Sequence, residues 1–233
     1  MGHRTGSRRR APDGGGRVIA RTIGAVAVAA ALAATPAGCQ TSRTRPADTV
    51  AADTSGGTTR IDAAAVRARL EKLRVAVEDT GNVYRRTEWP HWEPVAGGCD
   101  AREHTLKTQG TGVTTGKGCT VTGGRWVSPY DGITVTDAKT LDVDHVVPLA
   151  EAARSGTRTW SRADRARYAN DPRVLVAVTA KSNRSKGDSD PAKWLPGKDR
   201  CGYLARWVDT KTRYRMTVDQ AERDAIAAVL RRC

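Results

Sequence analysis

The chain has 233 residues, enough for one medium domain with extensions or for two small domains. Its formal net charge is +14, and residues 61–233 alone keep +8, which suggests a polyanionic partner for the globular part. Hydrophobic residues make up 39% of the chain, aromatics only 5%, and Phe is missing. This composition supports a modest core and excludes both a polytopic membrane protein and a fully disordered chain.

The N-terminal segment has the features of an export signal. An arginine-rich stretch precedes an apolar run, Ile23–Ala34, which is too short to span a bilayer and typical of a signal peptide. Pro36-Ala37-Gly38-Cys39 resembles the bacterial lipobox, in which the cysteine is lipidated, although Pro36 stands where Leu is usual. Ala31-Leu32-Ala33 offers a competing cleavage site. We predict a signal peptide over residues 1–38 and an exported protein, either anchored to the membrane by lipid at Cys39 or freely secreted.

Five cysteines are an odd number for an exported chain, and lipidation of Cys39 would account for the odd one. The other four allow three disulfide pairings. Cys99–Cys119 and Cys201–Cys233 are favoured because each closes a local loop, and each would contribute about 3–4 kcal/mol in the loop-entropy view. Four buried free thiols are the alternative.

The chain between the signal and the middle of the sequence has three parts. Residues 39–59 are rich in Thr, Ser, Ala and Gly and predict a flexible linker. Thr59 and Asp62 then have capping-box spacing before apolar residues at helical intervals, which predicts a helix up to Gly81. Residues 82–139 are rich in Gly and Thr and predict short strands and loops.

The second half has clearer patterns. Apolar runs predict strands over residues 140–147 and 173–179. Helices are expected over residues 148–154, 161–169, 180–188, 201–212 and 217–231, with Ser161 and Asp164 at capping spacing. The predicted order is strand, helical insertion, strand and helix.

The polar residues with most chemical potential follow these two strands. Asp144-His145 lies just before Pro148, where the first strand should end, and this would place both side chains at a solvent-facing rim. An Asp-His pair alone is unremarkable in a soluble chain. Asn183 stands just inside the helix after the second strand, where it is either a cap or, with Asp144, an oxygen ligand for a hard cation.

Asp-Val-Asp-His-Val-Val-Pro-Leu (142–149), Asn170-Asp171-Pro172 and the Asn-Arg-Ser-Lys-Gly-Asp run 183–188 together resemble the HNH (His-Me finger, ββα-metal) nuclease superfamily. The chain is most similar to secreted actinobacterial HNH endonuclease-family proteins that share the C-terminal domain of GmrSD-type restriction endonucleases. The resemblance runs over residues 89–233 and includes the segments 99–103 and 128–132. It implies an α+β fold, with a ββα-metal core at about 139–190, added helices and a small irregular β region, in one domain spanning 60–233.

The resemblance also implies roles for individual residues. His145 corresponds to the general base, Asp144 to the metal-ligating acid, Asn170 to the middle Asn that braces the catalytic loop, and Asn183 to the last position, a second metal ligand. A cation held by two protein oxygens, with water and phosphate in its other positions, matches Mg²⁺, with Mn²⁺ as a substitute. The zinc-binding cysteine pairs of some HNH proteins are missing, so the core and disulfides must hold the finger.

Other candidates surround this set. Arg102, Arg184 and Lys186 are predicted to bind substrate phosphates. Glu103 and Asp142 are predicted to support the metal site from behind. Each has a simpler interpretation: Arg102 and Glu103 as a structural ion pair, Arg184 and Lys186 as solvated surface charges, and Asp142 as exposed strand polarity.

The expected function is that of an exported, metal-dependent endonuclease with low sequence specificity, because no helix-turn-helix or zinc finger is evident to read bases. Its partner would be nucleic acid, with DNA favoured, and the protein is expected to be a monomer. The alternative is a non-catalytic, polyanion-binding envelope lipoprotein on a degenerate HNH scaffold. His91 and His104 have no partner motif and are interpreted as surface or packing residues.

Overall fold

The computed structural model describes residues 61–233. The predicted signal peptide, the lipidation site Cys39 and the linker lie outside the described residues. Within them the chain forms a mixed α+β fold, whose elements in order are α1 (Ala63–Lys72), α2 (Ala101–Gln109), β1 (Thr111–Thr115), β2 (Val121–Val127), β3 (Thr134–Val135), β4 (Leu141–His145), α3 (Leu149–Arg154), α4 (Arg162–Ala169), β5 (Leu175–Thr179), α5 (Ala180–Lys186), α6 (Arg200–Arg213) and α7 (Gln220–Leu230).

Two antiparallel sheets share these strands. One has three strands in the order β1-β2-β3 and forms the small β region; the other pairs β4 with β5. The β4–β5 ladder runs from Leu141 opposite Thr179 to His145 opposite Leu175. Every residue of β5 is buried, which is why this strand is a continuous apolar run in the sequence. The α+β fold and the predicted strand, helical insertion, strand and helix order are confirmed.

The turn from β5 into α5 follows directly from local sequence. Thr179 is both the last residue of the strand and the N-cap of the helix, and its hydroxyl accepts a hydrogen bond from the Ser182 amide. The hydroxyls of Thr179 and Ser182 in turn donate to the Asp131 carboxylate. This double anchor fixes where α5 begins, and therefore which of its residues face β4.

Helix α2 was not predicted in the Gly- and Thr-rich region. Asp100 caps it by accepting a bond from the Glu103 amide, and Leu106 is fully buried. At its end, the Gln109 side chain binds the backbone of β5, donating to Leu175 O and accepting from Ala177 N, both at 2.9 Å. A side chain thus satisfies backbone groups on the edge of β5 away from β4.

The first helix is shorter than predicted. Asp62 is its N-cap, accepting a bond from the Ala65 amide, but the helix ends at Lys72 rather than continuing to Gly81. Beyond it, Val75 pairs with Val218 in a parallel bridge, and Val77 is exposed. The prediction of a helix after Leu73 is therefore wrong, because Val75 forms a bridge with Val218, 143 residues later.

Helices α3, α6 and α7 meet around a buried ammonium. Lys211 is fully buried and donates to Glu151 Oε1 at 2.8 Å, Glu222 Oε2 at 2.7 Å and Thr217 O at 3.0 Å. Such a network costs desolvation energy and is tolerated because its polar atoms find partners. It ties the C-terminal helices to α3, which directly follows β4.

Two disulfides are present, Cys99–Cys119 and Cys201–Cys233, the pairing favoured by the sequence. The first joins the start of α2 to the segment before β2, and the second joins the start of α6 to Cys233, three residues after the end of α7. None of the helices in the described part of the chain is long and apolar enough to cross a membrane.

Candidate functional site

A cavity of about 600 Å³ lies over the end of β4 and the outer face of α5. Asp142, Asp144 and His145 of β4 line it, together with Asn183 and Arg184 of α5. These residues are about forty positions apart in sequence, and the antiparallel β4–β5 pairing with the immediate turn into α5 brings them together. The predicted convergence of an imidazole, carboxylates and an amide is present.

His145 is buried, and its ring is held from three directions. Nε2 lies 2.8 Å from the carbonyl oxygen of Ala169. A carbonyl can only accept a hydrogen bond, so Nε2 carries the proton and the lone pair of the neutral ring is on Nδ1. The rings of Trp92 and Tyr168 stack against the imidazole at centroid distances of 5.8 and 6.1 Å. Burial lowers the pKa of His145 to about 4, so the ring is neutral at physiological pH.

Asp144 is buried beside His145 and is bound on one oxygen. Its Oδ2 accepts a 2.6 Å bond from the Tyr130 hydroxyl and another, also of 2.6 Å, from the Lys186 ammonium. Burial raises the pKa of Asp144, and the Lys186 ammonium opposes that rise. Burial also raises the pKa of Tyr130, so its hydroxyl keeps the proton that it donates.

Lys186 does not bind phosphates from the surface, and that prediction is wrong. Its side chain is fully buried, and Nζ donates to Asp144 Oδ2 and, at 2.8 Å, to the backbone carbonyl of His145. The ammonium therefore fastens the end of β4 to the last turn of α5. Burial lowers the pKa of Lys186 as well. The simpler interpretation, a solvated surface charge, is equally wrong.

Asn183 lies one helical turn before Lys186 on the same side of α5. Its Nδ2 donates to Asp142 Oδ2 at 3.0 Å, which leaves the amide oxygen available to the cavity. Asp142 was predicted to support the site from behind, but it lines the cavity itself. Asp142 and Asp144 are two residues apart on a strand, and so share a face. Two carboxylates and an amide oxygen are a donor set that suits a hard divalent cation.

Asn170 holds the loop that covers His145. Its Oδ1 accepts from the Glu93 amide at 2.8 Å, and its Nδ2 donates to Pro90 O at 2.9 Å and to Ala166 O at 2.8 Å. His91 and Trp92 lie between Pro90 and Glu93, the two loop residues that Asn170 binds, and Trp92 has a positive φ of 59°. Asn170 does not line the main cavity, and its side-chain bonds position the loop that carries Trp92.

Basic side chains surround the opening of the cavity. Arg102 and Arg184 line it as predicted, and Glu103 pairs with Arg102 while accepting from the Val121 amide at 2.6 Å. Glu103 therefore orients an arginine and does not line the cavity. Three further cationic or imidazole side chains line the cavity and were not predicted from the sequence, namely Arg86, His91 and Lys139.

His91, interpreted from the sequence as a surface or packing residue, belongs to the site. Its Nδ1 lies 2.8 Å from Trp89 O and its Nε2 lies 2.7 Å from Arg86 Nη2. Because the carbonyl accepts and the guanidinium donates, Nδ1 donates to Trp89 O and Nε2 accepts from Arg86, which holds the Arg86 guanidinium at the cavity wall. No local pattern marks this pair, because its placement depends on the bonds that Asn170 makes.

Comparisons with known proteins agree with this geometry. Residues 103–229 match the family described as the C-terminal domain of GmrSD restriction endonucleases. An "Uncharacterized secreted protein" from Arthroderma benhamiae is 38% identical over 176 residues, which cover 73% of this chain and 86% of that protein. No solved structure matches the chain. The matched range contains both β4 and α5 with their polar residues, and the chain belongs to the GmrSD restriction endonuclease C-terminal domain family.

Proposed function

We propose that the protein is a metal-dependent endonuclease that hydrolyses the phosphodiester bonds of DNA with little sequence preference. One observation carries the proposal: His145, with its Nδ1 lone pair fixed by the bond from Nε2 to Ala169, lines the same cavity as the oxygen donors of Asp144 and Asn183. An oriented base beside carboxylate and amide oxygens is what phosphodiester hydrolysis requires.

In this proposal His145 acts at Nδ1. That nitrogen takes a proton from the attacking water, while the Nε2 bond to the Ala169 carbonyl keeps the ring in the required tautomer. Stacking against Trp92 and Tyr168 restricts rotation of the imidazole. Asn170 contributes at a distance, by holding the loop that carries Trp92.

Asp144 and Asn183 would hold one Mg²⁺, or Mn²⁺ in its place, with Asp142 as a further oxygen donor in the same cavity. When bound, such an ion would supply Lewis acidity for phosphodiester hydrolysis. Lys186 and Tyr130 both bind Oδ2 of Asp144, which fixes the plane of the carboxylate and leaves Oδ1 as the oxygen free to face an ion.

The rim supports a nucleic-acid substrate. Arg86, Arg102, Lys139 and Arg184 line the cavity and can contact phosphates on either side of the reacting bond. Guanidinium and ammonium contacts to phosphates carry no sequence information, so binding should be non-specific and strongly salt-dependent. The family match supports nucleic acid as the substrate class, and the choice of DNA over RNA belongs to the proposal.

We also infer that the protein is exported, and that Cys39 is its lipidation site. The Arthroderma benhamiae relative is named as secreted, and both disulfides of the described domain are typical of oxidising compartments. Mass spectrometry of the mature N-terminus tests this inference: a diacylglyceryl mass on Cys39 supports anchoring, and cleavage after Ala33 supports free secretion instead.

Plasmid nicking by the purified protein tests the nuclease proposal. Cleavage is expected with Mg²⁺ or Mn²⁺ and should stop on addition of EDTA. His145→Ala should abolish cleavage and keep DNA binding, whereas His104→Ala, on α2 outside the cavity, should cut as the wild type does. An intact plasmid in both metals, with DNA binding retained, would favour the non-catalytic, polyanion-binding scaffold.

A further inference from the structure

A second, smaller cavity of about 290 Å³ lies apart from the site described above. Two aromatic residues, Trp160 and Tyr214, line it, and so do four arginines, Arg167, Arg173, Arg213 and Arg215. All four arginines are exposed, and the two aromatic rings are partly buried. Guanidinium groups beside aromatic side chains are the combination that binds single-stranded nucleic acid, through phosphate contacts and base stacking.

A depression adjoins this cavity, and its charged lining residues are Arg162, Arg167 and Glu93. It is lined by Pro90, Arg162 and Arg167, and Arg167 belongs to the small cavity as well. Pro90 adjoins His91 and Trp92, which line the large cavity. The depression therefore shares Arg167 with the small cavity, and at Pro90 it is next in sequence to two residues of the large cavity.

Several of these guanidinium groups are partly neutralised. Arg167 pairs with Asp164, Arg173 with the buried Asp171, and Arg213 with Asp209. Arg162 donates to a backbone carbonyl, that of Thr87. Within residues 61–233, neither Arg162 nor Arg215 forms an ion pair. The surface keeps a net positive charge, and Arg215 at its far end has its full charge available to a ligand.

Arg215 also has an unusual backbone. It follows the last turn of α6 with a positive φ of 53°, the left-handed conformation in which Gly is the preferred residue after a helix. The backbone amide of Arg215 donates to Thr212 O, which closes the turn whatever the side chain is. An arginine here costs conformational energy, and within residues 61–233 its side chain makes no hydrogen bond or ion pair that would offset that cost.

We propose that the small cavity and the adjoining depression are a second binding surface for the phosphodiester backbone of the nucleic-acid substrate, and that Arg215 is its terminal phosphate contact. The inference rests on the proposed function, because it assigns the surface to the same substrate. It goes beyond that function by predicting a long footprint: substrates that extend past the loop at Pro90 bind more tightly than those confined to the large cavity.

The test uses Arg215→Gly in the full folded chain. Since Gly is favoured at this φ, the variant should unfold at the same temperature as wild type or at a higher one. Affinities for labelled strands of about 6 and about 24 nucleotides, and for a duplex of the longer length, are measured by fluorescence anisotropy in EDTA. The ratio of the affinity for the long strand to that for the short strand should be about fivefold smaller in the variant than in wild type, which is the effect expected from losing one exposed charge contact. The salt slope for the long strand should fall by about 0.7.

The matched control is Arg232→Gly, which removes an exposed arginine outside both cavities. It should leave the gain on lengthening unchanged. Arg215→Gln is the second variant and should reproduce the loss of affinity without the change at the backbone. If both Arg215 variants show the same increase in affinity with substrate length as wild type, for single strands and for the duplex, the inference is overturned. Because these measurements need no cleavage, a failed nicking assay with a positive Arg215 result would reject only the nuclease proposal.

Discussion

Replacing Lys186 by Met keeps the length of the side chain and removes its ammonium from beside Asp144. In the native protein that ammonium makes bonds of 2.6 Å to the Asp144 carboxylate and 2.8 Å to the His145 carbonyl, and its side chain is fully buried. Removing one partner of a buried ion pair costs about 3–5 kcal/mol, because the other charge stays buried and unpaired. Tyr130 continues to donate to Asp144, so we expect the lower end, about 3 kcal/mol.

The loss should depend on pH in a defined direction. Burial raises the pKa of Asp144, and without Lys186 nothing of comparable charge opposes that rise. An acid whose pKa is higher in the folded than in the unfolded state loses stability as the pH rises above its unfolded pKa. The variant should therefore be more destabilised at about pH 8 than at about pH 5.

Urea unfolding followed by tryptophan fluorescence measures both effects. Lys181→Met, on the exposed side of the same helix, is the control and should change the free energy of unfolding by less than about 0.5 kcal/mol. Adding Asp144→Asn to Lys186→Met should restore part of the lost stability, because the unpaired charge is then removed. Equal stabilities for Lys186→Met and Lys181→Met would refute the buried pair and its role in fixing Asp144.

Two further predictions concern groups around the site. Asn170→Ala loses three hydrogen bonds, so it should lower the free energy of unfolding by about 2–3 kcal/mol and slow cleavage. The control, Asn82→Ala, loses one bond to Ala153 O; it should lower the free energy of unfolding by about 1 kcal/mol and leave cleavage unchanged. Burial raises the pKa of Glu222 from 4.5 to about 7. Glu222 therefore stabilises the folded protein at low pH, and this contribution to the free energy of unfolding, up to about 3 kcal/mol, is lost as the pH rises from 4.5 through 7. Glu222→Gln should flatten this part of the stability–pH curve, and an unchanged slope would show that other groups cause it.

The elements that hold the site were predictable because their signals are local. The apolar run of β5, the end of β4 before Pro148, and the Ser161–Asp164 capping box of α4 all depend on residues close in sequence. Resemblance to HNH proteins then paired Asp144 and His145 with Asn183, and the antiparallel ladder places these residues at one cavity.

The errors arose where distant contacts decide the outcome. Lys186 was predicted to bind phosphates or to be a solvated surface charge, but its hydrogen-bond partners, Asp144 and His145 O, lie on β4, about forty residues earlier in the chain. Helix α1 was extended because the apolar spacing continued, although the partner of Val75 lies far away in sequence. The loop with His91 and Trp92 has no local signal and depends on Asn170.

The disulfides are placed so that neither lies within the segment from Leu141 to Lys186, which supplies the imidazole, the carboxylates and the amide. One cross-link precedes that segment and the other follows it. The cross-links therefore constrain the parts of the chain that flank these groups in sequence. The redox state of its surroundings should govern how long the protein survives proteolysis and heat, and should have little effect on turnover while the chain stays folded.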